Sequence, residues 1–267
     1  MIQIKTDAEI AVMRAAGLVV GRTLETVRAA VAPGVTTAEL DAIAEESIRG
    51  AGAVPSFKGY HGFPASICAS VNEEIVHGIP GPKILREGDI ISIDCGAIVD
   101  GYHGDAAVTV AVGSAPAELL ELIRVCEDAM WQGLAAVRLD GRLSDIGHAI
   151  ETSIRSSGTY GIVRDYTGHG IGTEMHQEPN VPNFGRPGRG PRLQKGMAVA
   201  VEPMVNQGSR HTRLLEDGWT VVTADGKRSA HFEHSVAVTD DGPWVLTALD
   251  GGASRLRATT AGSGALA

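Results

Sequence analysis

An internal repeat constrains this chain more than any other feature. The stretch Pro33-Gly-Val-Thr-Thr-Ala-Glu-Leu-Asp-Ala-Ile43 matches Asp140-Gly-Arg-Leu-Ser-Asp-Ile-Gly-His-Ala-Ile150 at an offset of 107 residues, with Gly34/Gly141, Ala42/Ala149 and Ile43/Ile150 identical. The helical patterning around the match repeats as well. Thr6 is placed to cap a helix from Asp7 to about Val31, with Ile10, Met13, Leu18 and Leu24 among its apolar positions, and Thr36 or Thr37 to cap a second over Ala38–Arg49. In the second half Ser114 caps a predicted helix over Pro116–Leu139, whose Leu119, Ile123, Cys126, Met130, Leu134 and Val137 form an apolar stripe, and a shorter helix follows from Ser144 to Arg155. No linker divides the 267 residues, so they read as one large α/β or α+β domain, and the repeat gives it two pseudo-symmetric halves, about 1–113 and 114–250.

The strand segments carry the chemistry. Candidate strands are Ile67–Val71, Ile90–Cys95 and Ala106–Val112, and a hairpin is expected over Trp219–Phe232 with Asp225-Gly226 at its tip. Two runs that otherwise read as buried strand are interrupted by acids, Ile90-Ile-Ser-Ile-Asp94-Cys-Gly96 and Met197-Ala-Val-Ala-Val-Glu202-Pro203. A carboxylate there costs several kcal/mol (roughly) unless a cation compensates it. Strand parity puts Ser92 and Asp94 opposite Ile91 and Ile93, and Ala200 and Glu202 opposite Val199 and Val201. Carried forward, the repeat offset sets Asp94 within one residue of Glu202 and His61 within one of His169, with Asp105 and Glu233 as a second pair. Singly, each of these residues has an ordinary reading as a turn, edge or loop residue. Four carboxylates and one imidazole at a shared midline ask for something cationic. An oxygen-rich set with one nitrogen suits Mn²⁺, Fe²⁺, Co²⁺ or Zn²⁺, and two such ions would support metal-assisted hydrolysis.

Several classes of function are excluded or disfavoured. A net charge of −9 argues against a nucleic-acid or anionic-membrane surface, and no apolar stretch approaches membrane-spanning length. Cys68, Cys95 and Cys126 are an odd set in apolar surroundings, which fits reduced thiols and a cytoplasmic location. Ser66, Ser92 and Cys95 lie in no nucleophile-elbow setting, and Gly168-His-Gly-Ile-Gly172 lacks dinucleotide-fingerprint spacing. Residues 54–66, with two prolines and three aromatics, form a loop with something to hold. The small, polar stretch Gly251–Ala267 reads as a disordered tail, dispensable for folding.

From Ile4 to about Leu249 the chain resembles the type I methionine aminopeptidases of the pita-bread family. The resemblance rests on Tyr60-His-Gly-Phe-Pro-Ala-Ser66, Val71-Asn-Glu-Glu-Ile-Val-His-Gly-Ile-Pro80, Ile93-Asp-Cys-Gly96, Gly101-Tyr-His-Gly-Asp105, Thr167-Gly-His-Gly-Ile-Gly172, His176-Gln-Glu-Pro179, Val201-Glu-Pro203 and His231-Phe-Glu-His-Ser235. It implies helix pairs packed on a curved, mostly antiparallel sheet. It also implies removal of the initiator methionine of nascent chains with a small second residue. Asp105 and Glu233 would bridge two metals, Asp94 chelate one, and His169 and Glu202 complete the other. Glu202 would shuttle protons, His176 polarise the carbonyl oxygen or steady the tetrahedral intermediate, and His77 hydrogen-bond the leaving nitrogen, while the substrate amine binds a metal.

By the same resemblance Phe57, Tyr60, Phe63, Cys68, His77, His176 and Trp219 line the substrate pocket, and Asn72 and Ser229 mark a monovalent-cation site. Phe57 and Val76 stand where many bacterial relatives have cysteine, and Met175 where they often have an aromatic. The chain begins directly with the first repeat, which fits the short form, acting as a monomer. That beginning also counts against an Xaa-Pro aminopeptidase or dipeptidase of the same fold, and the full ligand set counts against a non-catalytic binding module. The basic segment Gly185–Lys195 is a candidate for transient ribosome contact, with a solvated loop as the alternative.

Overall fold

The computed structural model describes residues 1–263, with side chains to residue 259. Helix α1 (Asp7–Ala30) starts at Thr6, whose hydroxyl accepts from Glu9 N while the Glu9 carboxylate accepts from Thr6 N at 2.7 Å. The same reciprocal box, Thr36 with Glu39, starts α2 (Thr37–Gly50). Each satisfies amides that a helix N-terminus leaves without intrahelical partners. The second pair is less regular. Helix α3 (Ala117–Ala135) begins behind Pro116 with no side-chain cap, two residues past Ser114, whose backbone N–H donates to Glu87 Oε1 at 2.6 Å. It also ends four residues before the predicted Leu139. Helix α4 (Leu143–Ser157) starts one residue early, where Arg142 N donates to Asp145 Oδ2 at 2.8 Å.

The main sheet has nine strands, and all its pairings are antiparallel. Its order is Val54–Pro55, Ile90–Val99, Tyr102–Ala111, Glu233–Thr239, Ala198–Val201, Gly168–Gly170 and Gln177–Val181; Ile67–Val71 also pairs with Ile90–Val99, and Gly242–Val245 with Glu233–Thr239. The parity expected from sequence holds. Ile91, Ile93 and Cys95 pack with Val20, Leu24 and Val27 of α1 and Leu40, Ala44 and Ile48 of α2. Val199 and Val201 pack with Leu122, Val125 and Met130 of α3 and Ile146 and Ile150 of α4. One helix pair therefore covers each half of the sheet.

The halves meet at a short seam. Strand Tyr102–Ala111 pairs with Glu233–Thr239 through only Ala107↔Glu233 and Ala106↔His234. Ser235 Oγ extends it, accepting from Asp105 N at 3.1 Å and donating to Asp105 O at 2.8 Å. Nearby, α1 crosses the sheet at a glycine contact, where a Cβ on Gly104 would lie 2.8 Å from Gly17 N.

Two expectations are corrected. The Trp219–Phe232 hairpin does not form: the chain turns at Asp225-Gly226, but Val221–Thr223 pairs with Thr212–Leu214 and Glu74–Val76, while Ser229–His231 pairs with Met204–Asn206. The tail expected over 251–267 instead contains α5 (Ala253–Ser263). Asp250 caps it by accepting from Gly252 N at 2.8 Å and Ser254 N at 2.9 Å, and Arg255 ties it to α3 through Glu127 and Asp128 and over the Trp131 ring. Residues 264–267 of that expected tail lie outside the described residues.

Candidate metal centre

The five predicted ligands converge on the sheet face turned away from the aliphatic core. In register, Asp94 lies opposite Ala107, and Ala107 opposite Glu233, so one row crosses three strands and carries two carboxylates. Asp105 stands two residues from Ala107 on the same face, opposite Gly96, where there is no side chain to compete for the space. Across the seam His234 pairs with Val201 and Ala200 with His169, which brings Glu202 at the strand end and His169 to the same place. His169 Nε2 lies 3.5 Å from Glu202 Oε1 and 3.9 Å from Glu233 Oε1. Asn183 Nδ2 holds the backbone of Glu202 by donating to its carbonyl at 3.0 Å.

The donor set fits divalent cations. His169 Nδ1 is 3.0 Å from Gly170 O. A carbonyl only accepts, so Nδ1 carries the hydrogen. Burial first, and then the neighbouring His176, hold the ring down at about 3, so it is neutral and Nε2 presents a lone pair. Asp94 Oδ1, Asp105 Oδ1 and Glu233 Oε1 are buried without a hydrogen-bond partner. Burial pushes Asp94 up to about 7 and Glu202 up to about 8. Burial, followed by repulsion among the carboxylates, pushes Asp105 and Glu233 well above the usual range. Without compensating charge these acids would hold protons, whereas cations would ionise them and use the orphaned oxygens. Asp105, His169 and Glu233 each offer an atom within 4.8 Å of the others, and so do Glu202, His231 and Glu233.

The acids close one end of a cavity of about 430 Å³. Its other end is apolar: Phe57, Phe63, Cys68 and Met175 are buried there, with Tyr60 and Trp219 packed against them, and the Phe63 and Trp219 rings meet edge to face at 5.1 Å. Burial pushes the Cys68 thiol up, so it stays protonated as a wall of the cavity. Tyr60, His77 and His176 complete the predicted lining, so every residue expected at the pocket borders this one space. Tyr60 Oη lies 2.8 Å from His176 Nδ1, and the His176 and His169 rings are 4.3 Å apart. His77 has φ of 60° and sits edge-on to Tyr166 and Trp219; burial, with His231 and His176 beside it, lowers it to about 4.

His61, Val76 and Met175, marked in the sequence by the repeat offset or by departures from bacterial relatives, also line the cavity, together with Asp165, Tyr166 and Thr167, for which the sequence gives no role. His231 was also passed over, although it is 1% exposed and its Nε2 lies 3.4 Å from Glu202 Oε2. Its two-residue spacing from Glu233 was the available signal. Asn72 and Ser229, expected near a monovalent cation, are joined by Ser229 N donating to Asn72 O at 3.0 Å.

A profile of metallopeptidase family M24 matches residues 11–240. A methionine aminopeptidase of Clostridium acetobutylicum is 54% identical over 248 residues, covering 92% of this chain and 99% of that protein. The crystal structure of methionine aminopeptidase from Rickettsia prowazekii superposes with a TM-score of 0.90 at 44% identity, covering 92% of this chain and all of that one. The prolidase from Pyrococcus furiosus superposes with a TM-score of 0.73 at 22% identity, and this chain spans only 65% of it. That likeness carries the fold alone.

Proposed function

Because the chain belongs to metallopeptidase family M24, we propose that it removes the N-terminal methionine from peptides and nascent proteins with a small second residue. One observation carries the reading: five side chains able to ligate metal, Asp105, His169 and Glu233 buried and Asp94 and Glu202 half-buried, end an apolar cavity whose far wall is Phe57, Phe63, Cys68, Met175 and Trp219. Asp105 and Glu233, at the seam, would be shared between two cations; Asp94 would hold one, and His169 with Glu202 the other. Divalent cations bound there lower the pKa of water towards neutrality and polarise a carbonyl. Their identity among Co, Mn, Fe and Zn belongs to the proposal.

The protein groups orient the substrate and move protons. The apolar wall takes the methionine side chain, and the acid end takes the free amine, as an exopeptidase requires. With Tyr60 O–H donating to His176 Nδ1, His176 presents Nε2–H to the scissile carbonyl oxygen as negative charge develops there. His77, neutral through burial, hydrogen-bonds the scissile nitrogen. Glu202 takes and returns a proton through the oxygen not spent on a cation.

The discriminating assay compares Met-Ala-Ser with an Xaa-Pro peptide in Mn²⁺ or Co²⁺. Methionine release is expected, and preferential cleavage of the proline substrate would sink the assignment. Three finer readings accompany it. A monovalent cation beside Asn72 and Ser229 uses the second lone pair of Asn72 O; thermal unfolding identical in potassium and tetramethylammonium chloride would remove it. Contact of the exposed Arg186, Arg189 and Arg192 with the ribosome predicts salt-sensitive cosedimentation, and its absence would end that idea. No described helix is long and apolar enough to cross a membrane; the three cysteines are free and buried, as reduced thiols of a cytoplasmic protein are, and the proposal takes the chain as a monomer. Light scattering showing a dimer would contradict the monomer.

A further inference from the structure

Glu202 sits between two imidazoles. His169 Nε2 faces its Oε1 at 3.5 Å, and His231 Nε2 faces its Oε2 at 3.4 Å. The first ring has a clear task, since its Nδ1 is committed to Gly170 O and its Nε2 lone pair points to the cation site. The second ring is 1% exposed, and its Nε2 is buried without a hydrogen-bond partner. Its backbone is fixed on both sides: His231 N donates to Thr109 Oγ1 at 2.9 Å, and Thr109 Oγ1 donates to His231 O at 2.7 Å. With its backbone held and its ring buried, His231 has no solvent within reach of that nitrogen. Burying that nitrogen unpaired would cost about 1–3 kcal/mol, so simple packing is a poor account of it.

We propose that His231 is a positioning residue for the metal centre: its Nε2–H donates to Glu202 Oε2 and leaves Oε1 as the oxygen offered to the cation beside His169. The inference rests on the reading of Glu202 as a metal ligand. Once a cation ionises Glu202, an imidazole lone pair turned to its carboxylate oxygen would meet a second lone pair and be repelled, so the nitrogen facing Oε2 then carries a hydrogen. A carboxylate held by one oxygen can no longer rotate about its terminal bond. It therefore meets the cation through a single oxygen and is kept from swinging across to Glu233. Groups that orient a ligand in this way are typically worth about 10–100-fold in metal affinity.

The experiment titrates metal-free wild type, His231→Gln and His231→Leu with Mn²⁺ by calorimetry. The leucine variant is expected to bind its tighter Mn²⁺ about 10–100-fold more weakly. The glutamine variant, whose amide can donate to the same oxygen, should stay near wild type, a rescue that loss of packing alone would not give. Wild-type affinity in His231→Leu overturns the proposal, as does a glutamine variant as weak as the leucine one, which would make His231 a direct ligand. Should either variant misfold, long-range ¹H–¹⁵N spectra of Zn²⁺-loaded wild type decide: a protonated Nε2 on His231 supports the assignment, and a bare one overturns it. Wild-type protein that takes up no Mn²⁺ would instead remove the metal reading beneath it, so the two failures are distinguishable.

Discussion

Side chains at this centre are useful because their remaining atoms are already committed. Gly170 O fixes the His169 tautomer, Tyr60 occupies one nitrogen of His176, and Asn183 anchors the Glu202 backbone. Among the described residues the hydrogen-bond partner of His176 is Tyr60 and not a carboxylate, so His176→Ala should keep Mn²⁺ affinity and lose about 10²–10³-fold in kcat, as removal of an oxyanion donor does elsewhere. Glu202→Ala should weaken Mn²⁺ binding as well as turnover. Calorimetry and peptide hydrolysis on both variants check this, and full activity in either would contradict its role. Asp94 and Glu202 were legible in the sequence because a carboxylate inside a buried strand run is costly, and strand parity said which way each faced, whereas Asp105 and Glu233 were joined to them through the repeat. His231 was not, because the chain leaves one sheet after His231 and enters another at Glu233. Alternation alone cannot show that the two side chains meet across that break.

Elements followed local chemistry where local chemistry was strong. Both threonine–glutamate boxes of the first half start helices where the sequence placed them, each within a four-residue window. The later elements depend on distant partners. Glu87 takes the Ser114 amide, and the Trp219–Phe232 segment divides between two small sheets because Glu74–Val76 and Met204–Asn206 offer its strands edges that a local hairpin would leave unpaired. Helix α5 lacks an apolar stripe and is set instead by the Asp250 cap and by Arg255, neither of which alters periodicity. The contact between α1 and strand Tyr102–Ala111 is sensitive in a different way. Gly104→Ala would place its Cβ 2.8 Å from Gly17 N and 2.9 Å from Ala16 C, both backbone atoms of a long helix that cannot yield locally. The expected loss is about 1–3 kcal/mol in urea denaturation, with weaker Mn²⁺ binding because Asp105 is the next residue. An unchanged midpoint would show that α1 moves freely.

At the scale of the whole molecule the repeat proved the most legible feature, since two helix pairs on one antiparallel sheet follow from two similar half-sequences. The seam was not legible, because an offset says that halves correspond and not how many backbone pairs join them. Within the main sheet only two do, with Ser235 reinforcing them, while Val221–Thr223 pairs with Glu74–Val76 in a smaller sheet, and the ligands come from both sides: Asp94 and Asp105 from one, His169, Glu202 and Glu233 from the other. Bound cations would then tie the halves together, and removing them should destabilise the protein by an amount that depends on pH. Asp94 at about 7 and Glu202 at about 8 both lie above the unfolded value of about 4. Acids raised in this way contribute stability that is fully present below about pH 4 and is lost as pH rises through the native values. Metal-stripped protein should therefore weaken as pH rises from about 4 to about 8, by an amount on the order of a few kcal/mol. Protein saturated with Mn²⁺ should hold its stability, because the cations keep the acids ionised and binding releases their protons. Urea midpoints of the two forms should thus diverge as pH rises, and hydrogen exchange in the stripped form should quicken at Asp105–Ala107 and Glu233–Ser235 before it does in α1. A gap that stays constant with pH would mean that the carboxylates are already ionised without metal, and that the centre is not what holds the two halves together.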